Sequence, residues 1–482
     1  MPENTVIVNG IRLHSAYNPQ KEAERFVQSL ECMFTPQTVL ITEPACSYCL
    51  PFLRERFKNA RILAVRYDKQ FASFDAVFDQ VLYLEDCSSL AEQLFSILGE
   101  EGLSQTLFIS WKPSEQAYPS QNTFVWNEIK QAVLKSRDVL GTRTYFAGRW
   151  AKNACRFALY ANSFCIPQKT HAPVVICASG PSLTHSLPEI QRLRSRMNII
   201  AVSSALLPLV SYGITPDLII STDGGYWAKP HLSCIERNLL TVPLALSLEA
   251  ACPTQILNKC SIVPLAYGDG ISQTILEELN IPIVRAERNG TVSGTAARLA
   301  LNLTDNQVYV CGLDLACSPG SVHAKPNENE NRDSTKDNRQ CPKETRLTPT
   351  HFTNGSLELY RKWFSTADFN GRLHRLSDSP YKNQLGQVDT VTWNDFEKTH
   401  TQNTQPLSFE QHTVSQKEQE RKEKLQVIIS RHKTDDAWIK DALPALYIQK
   451  QRSSEKQTED ISIREAMNQF EEHLLKAIGV SV

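Results

Sequence analysis

The chain has 482 residues, 41 % hydrophobic and 21 % charged, with a formal net charge of −1. This length exceeds a single core and sets an expectation of about three domains. The charge balance argues against nucleic acid or anionic lipid as a partner, and the opening "MPENTVIVNGIRLHS" lacks the basic and apolar regions of a secretory signal.

In the first third, short apolar runs at Thr38–Ile41, Arg61–Val65, Gln80–Leu84 and Thr106–Ile109 alternate with helix-like segments. They predict a Rossmann-like α/β domain over residues 1–137. An active dinucleotide-binding unit should place a glycine-rich loop after the first strand. The chain has "EPACSYCLPF" (Glu43–Phe52) there instead, so this domain is expected to be a scaffold or an acceptor-binding module. Cys46 and Cys49 form a C-x-x-C whose readings are redox chemistry, half a zinc site, or a packed turn; the absence of a second close Cys/His pair favours the turn.

Residues 138–171 read as a helical linker, and a second α/β domain is expected over 172–390. Its strands are predicted at Val174–Cys177, Asn198–Val202, Asp217–Ser221, Val242–Leu246, Ser261–Leu265 and Gln307–Cys311, with a helix over Thr291–Leu303. This alternation argues for a mostly parallel sheet. The longest apolar stretch, Ile199–Ile214, is broken by Ser203, Ser204, Pro208 and Ser211 and reads as strand plus buried helix, not as a membrane span. The thirteen cysteines are odd in number and scattered, which fits a reduced, cytoplasmic protein. The segment from Cys317 to Thr350 is too polar to bury a core and is expected to be a mobile lid or binding loop. A helix follows over Gly355–Phe369. The C-terminal domain, 391–482, is expected to be all-helical, with Ile463, Met467, Phe470, Leu474 and Ile478 on one face and a capping box at Ser462 and Glu465.

Four stretches fall at the C-terminal ends of predicted strands in the second domain, the edge at which open α/β sheets bind ligands. Ser179-Gly180-Pro181-Ser182 is a small-residue turn before a helix, suited to an anion or to plain capping. Asp223 in "STDGGYW" suits a ribose or sugar hydroxyl, Mg²⁺, or an Asx-turn. Ser293, Gly294 and Thr295 open the next helix with hydroxyls and backbone N–H groups; alone they would be read as an N-cap. Gly312 and Asp314 follow the last predicted strand, and His323 stands at the root of the polar segment, where an imidazole suits proton transfer near neutral pH.

"CASGPSL", "PDLIISTDGG", "SGTAARLAL" and "VYVCGLDLA…HA", in that order, resemble the MptE-like domain of motility-associated factor (Maf) proteins. "LHSAYNPQKEAER", "GRWAKNACRFAL" and "LYRKWF" extend the likeness across most of residues 1–390. The resemblance implies a glycosyltransferase that moves a nonulosonic acid, such as pseudaminic or legionaminic acid, from a CMP-activated donor to flagellin Ser/Thr hydroxyls, in support of filament assembly and motility. The domain also resembles bacterial CMP-sialic-acid transferases, which usually carry Asn where this chain has Ser179. By that likeness, Ser179, Gly180, Pro181 and Ser182 would contact CMP. Ser293, Gly294 and Thr295 would hold donor phosphate or carboxylate, Gly312 and Asp314 would line the nucleotide pocket, and His323 would be the base. No cofactor is implied, although Asp223 would be a catalytic ligand of Mg²⁺ in the alternative MptE-type reading, a pterin diphosphokinase. A non-catalytic flagellin-binding chaperone is the third reading.

Overall fold

A computed structural model describes residues 6–86, 89–316, 322–330, 334–342, 355–377, 384–414, 416–453 and 456–480. Of the polar segment expected to be a mobile lid, residues 317–321, 331–333 and 343–350 lie outside the described residues. The chain divides into two compact units, 1–147 with 434–469 and 148–433 with 470–482. The C-terminal helices are therefore shared between the units.

The smaller unit holds a parallel sheet of β1 (Thr38–Thr42), β2 (Arg61–Arg66), β3 (Gln80–Tyr83) and β4 (Thr106–Ser110), in the order β3-β2-β1-β4. Val39, Leu40 and Ile41 are fully buried, as are Ile62 to Val65, because both faces of these two central strands are covered. Helix α1 (Pro119–Tyr160) is 42 residues long and begins well before the linker expected at 138–171.

The larger unit carries an eleven-stranded sheet. Its strands are β5 (Ser163–Pro167), β6 (Val174–Cys177), β7 (Asn198–Val202), β8 (Leu218–Ser221), β9 (Leu244–Ser247), β10 (Ser261–Ala266), β11 (Val284–Arg285), β12 (Val308–Cys311), β13 (Leu373–Leu376), β14 (Thr390–Val391) and β15 (Phe409–Thr413). The order is β14-β13-β12-β6-β7-β8-β9-β10-β5-β15, with β11 also on β10. Every pairing is parallel except that of β15 with β5. The expected α/β class with a mostly parallel central sheet is the observed one.

Three features depart from the sequence reading. The supposed linker contains strand β5, too short to show as an apolar run yet paired on both sides. The tail expected to be all-helical contains β15, a polar edge strand held by five backbone-registered pairs, so no hydrophobic period betrays it. Ser462 and Glu465 do not begin a helix, because α4 (Lys456–Ala477) already includes both. The stripe itself is core, with Ile463, Met467, Leu474 and Ile478 buried. None of the eleven described cysteines is in a disulfide. Burial pushes the Cys49 thiol up to about 12 and raises Cys46, so this C-x-x-C has no thiolate character.

Candidate active site at the switch point of the larger sheet

Strand β6 pairs with its successor β7 on one side and with the much later β12 on the other, so the strand order reverses there. A crevice at such a reversal, outside the carboxyl ends of the strands, is where this class of sheet takes ligands. The turn Ala178–Ser182 and the segment Gly312–Asp314 leave β6 and β12 side by side. Ala178 N–H donates to the Cys311 carbonyl (2.9 Å) and Gly180 N–H to the Gly312 carbonyl (2.7 Å). Gly312 has φ +67°, and a Cβ there would stand 2.3 Å from the Ala178 carbonyl oxygen. A Cβ on Gly180 would stand 2.4 Å from the Gly312 oxygen. Both glycines are required by the mutual approach of the two backbones, and a side chain at Gly180 would break the turn before it met any ligand.

Helix α2 (Leu183–Arg192) starts from this turn, and a carboxylate already occupies its N-terminus. Asp314 accepts from Ser182 N–H at 2.6 Å and from the Ser182 hydroxyl at 2.5 Å, and is almost fully buried. Burial raises its pKa, while the two Ser182 bonds and the charge of Arg375 oppose the rise. The expectation of open N–H groups is not met at Gly180 and Ser182, which spend theirs inside the protein. Pro181 has none to offer.

Ser179 is the member of the turn whose side chain meets His323. Its hydroxyl lies 3.0 Å from His323 Nδ1 and accepts from the Ser204 hydroxyl at 2.8 Å. Ala324 N–H donates to the Ser179 carbonyl at 2.8 Å, which ties the described part of the polar segment, 322–330, to the turn. The structure thus brings Ser179, Gly180, Ser182, Gly312, Asp314 and His323 together.

Asp223 and the Ser293–Thr295 group keep their hydrogen bonds local. Asp223 is exposed and one carboxylate oxygen accepts Gly225 N–H at 2.7 Å, an Asx-turn. The glycine between them has its own reason: a Cβ on Gly224 would lie 2.5 Å from the Trp150 ring. At the start of α3 (Val292–Leu303), Gly294 and Thr295 N–H return to the Thr291 carbonyl, and the Thr295 hydroxyl is spent on backbone carbonyls. By helix geometry Val292 and Ser293 N–H point out of the first turn. The Asn289 side-chain nitrogen is buried without a partner among the described residues.

Sequence reasoning missed Ser204, His231 and Arg375. Ser204 had a signal, since "AVSSALL" repeats the pattern of strand, small hydroxyl residues and helix. Arg375 lies on β13, which was not expected as a strand. Its guanidinium bonds Thr390 twice (3.1 and 2.9 Å), and burial lowers its pKa against the pull of Asp314.

Residues 150–320 match the family described as 6-hydroxymethylpterin diphosphokinase MptE-like, a stretch that ends just short of His323. An uncharacterised protein of Treponema pallidum is 32 % identical over 317 residues, covering 64 % of this chain and 68 % of that protein. The chain belongs to the family of that Treponema protein. The solved structure of a Maf glycosyltransferase from Magnetospirillum magneticum covers 99 % of this chain and 92 % of its own, at a TM-score of 0.54 and 14 % identity. The Maf resemblance read from the motifs is therefore matched by a Maf fold along the whole chain.

Proposed function

We propose that this chain is a glycosyltransferase that moves a nonulosonic acid from a CMP-activated donor to Ser/Thr hydroxyls of flagellin. The contact between Ser179 and His323 carries the reading. It joins the turn after β6 to a histidine 144 residues later, at the edge where a nucleotide-bound donor would lie. The fold shared with a Maf glycosyltransferase supports the reaction class.

In the proposed step His323 Nδ1–H donates to the Ser179 oxygen, and Nε2 takes the proton of the acceptor hydroxyl. The acceptor oxygen bonds to the anomeric carbon as the bond from that carbon to the phosphate oxygen breaks and CMP leaves. Because Asp314 fills the start of α2, the leaving phosphate is assigned to the first turn of α3 at Val292 and Ser293, where donors held in place stabilise developing charge. Among the described residues no three His, Cys, Asp or Glu side chains are placed to share a metal ion. Asp223, the Mg²⁺ ligand in the diphosphokinase reading, is an exposed carboxylate closed into an Asx-turn.

The test is CMP release from CMP-nonulosonates with and without flagellin, with ATP and hydroxymethylpterin as the competing pair. CMP release with mass gain on flagellin supports the proposal. AMP formation from the competing pair favours the diphosphokinase, and flagellin binding without either reaction favours the chaperone.

A further inference from the structure

Building on the glycosyltransferase reading, we propose that His231 is a positioning residue that latches segment 322–330 and so fixes His323 against Ser179. His231 lies in the 3₁₀ turn Tyr226–Leu232 after β8 and is 9 % exposed. Its Nδ1 is 3.1 Å from a Glu328 carboxylate oxygen, and its Nε2 is 3.0 Å from the Asn329 side-chain nitrogen. An amide nitrogen only donates, so Nε2 accepts and Nδ1 carries the proton that goes to Glu328. Both ring nitrogens are thus committed to the segment that bears His323. The two imidazoles also meet edge to face, with centroids 6.0 Å apart.

The segment behaves as one piece because it bonds to itself. Asn329 N–H donates to the Asn327 side chain, Asn327 N–H to the Glu330 carboxylate, and Glu330 N–H to the Asn327 carbonyl. Two ties fasten that piece, both C-terminal to His323: Ala324 to Ser179, and Glu328 with Asn329 to His231. The Glu328 side chain is only 8 % exposed, and its second oxygen has no partner among the described residues. A carboxylate buried with one oxygen unsatisfied is costly, and the imidazole N–H makes its burial tolerable. Without His231 the carboxylate must turn out to water, and the segment must follow. The turn Ala178–Ser182 keeps its own bonds to Gly312 and Asp314, so turnover should suffer and donor binding should not.

The experiment uses the full chain and two readouts: amide hydrogen exchange of residues 322–330 without substrate, and CMP release with flagellin. His231→Ala is expected to speed exchange of the segment and lower kcat, each roughly 10-fold on the cost of one stranded buried group, with donor KM unchanged. His231→Gln, whose amide still donates to Glu328, should restore most of both. Glu328→Ala breaks the same latch from the segment and covers the case in which His231→Ala fails to fold. The double variant should be no worse than either single one. Unchanged exchange of 322–330 in both single variants would overturn the latch, as would faster exchange with an unaltered kcat. Absence of transfer by the unaltered chain would instead overturn the glycosyltransferase reading, leaving the exchange data to decide the latch.

Discussion

After β1 the chain enters Glu43–Cys49, and after β6 it enters Ala178–Ser182. Both connections stand at the carboxyl end of a strand flanked by its successor and by a later strand, the same topological place in two sheets. In the smaller unit the place is filled from within. Glu43, fully buried, accepts from Arg66 at 3.0 Å, from Tyr67 N–H at 2.6 Å and from Ala45 N–H at 3.2 Å. Arg66, equally buried, reaches on to Asp75, Ser47 and the Ala45 carbonyl. Glu43, Ala45 and Ser47 all have left-handed backbone, at φ 38°, 47° and 59°, which side chains tolerate only under such restraint. In the larger unit glycines and serines keep the connection slim, the carboxylate comes from Asp314, and one hydroxyl is left facing a histidine. Comparable buried polar bonding thus closes the connection in one sheet and, in the other, leaves a hydroxyl against an imidazole.

The largest effect should come from the open connection. His323→Ala should lower kcat by ~10²–10⁴-fold, the usual contribution of a general base, while CMP affinity by calorimetry stays near its original value. Near-normal turnover at saturating donor and acceptor would break the contrast by removing chemistry from this edge. The filled connection should answer in stability. Glu43→Ala leaves Arg66 buried without its main partner and should cost ~3–5 kcal/mol in urea unfolding, with CMP binding by the folded fraction unaltered. A loss of CMP affinity there would put the nucleotide in the smaller unit.

The fold was legible wherever burial on both faces wrote a continuous apolar run: Val174–Cys177 and Asn198–Val202 are observed with the expected limits. It was illegible at β15, where pairing does what side-chain burial does elsewhere, and at β5 and β13, whose apolar positions are bounded by Ser163 and Pro167 and broken by His374 and Arg375. In the site, small residues after strands marked Ser179, Ser182, Gly312 and Asp314, because a close backbone approach requires them. His231 left no local mark, since its partners lie 97 and 98 residues away and meet it only through the fold. The buried network at Glu43 showed only as a missing glycine motif. Sequence could say that the usual loop was gone, but not that Arg66 had closed it.

One pH dependence belongs to the smaller unit. His14 is 2 % exposed, accepts Cys46 N–H through Nε2 at 3.0 Å, and has an Nδ1 without a partner among the described residues. Burial lowers its pKa to about 4. The unfolded chain titrates near 6.5 and so binds a proton that the folded chain refuses. Stability is complete above pH 6.5 and declines as pH falls toward 4, by about 3 kcal/mol if His14 acts alone. His14→Gln keeps an acceptor for Cys46 and should flatten this part of the urea-unfolding profile. An unchanged slope would assign the loss to other groups.

The smallest effect concerns Ser204 and tests how the open connection is tuned. The Ser204 hydroxyl donates to the Ser179 oxygen at 2.8 Å, and that oxygen lies 3.0 Å from His323 Nδ1. In the proposed step that oxygen accepts both from Ser204 and from Nδ1–H, so the Ser204 bond orients the Ser179 hydroxyl with its own proton turned away from the ring. Ser204→Ala removes the donor that orients this hydroxyl and leaves Ser179 able to turn its proton onto Nδ1, the wrong tautomer for the proposed step. One neutral hydrogen bond is worth about 0.5–1.5 kcal/mol, so kcat should fall roughly two- to tenfold with CMP affinity unchanged. Ser179→Ala should fall further, because it removes the oxygen that fixes the ring, and adding Ser204→Ala to it should change nothing more. Independent, multiplying losses from the two substitutions would show that Ser204 acts elsewhere and that the chain from Ser204 through Ser179 to His323 does not set the tautomer. A nitrogen-15 spectrum of the His323 ring decides the same point without substrate: the Nδ1–H form should dominate in the unaltered protein and give way to the Nε2–H form in Ser204→Ala.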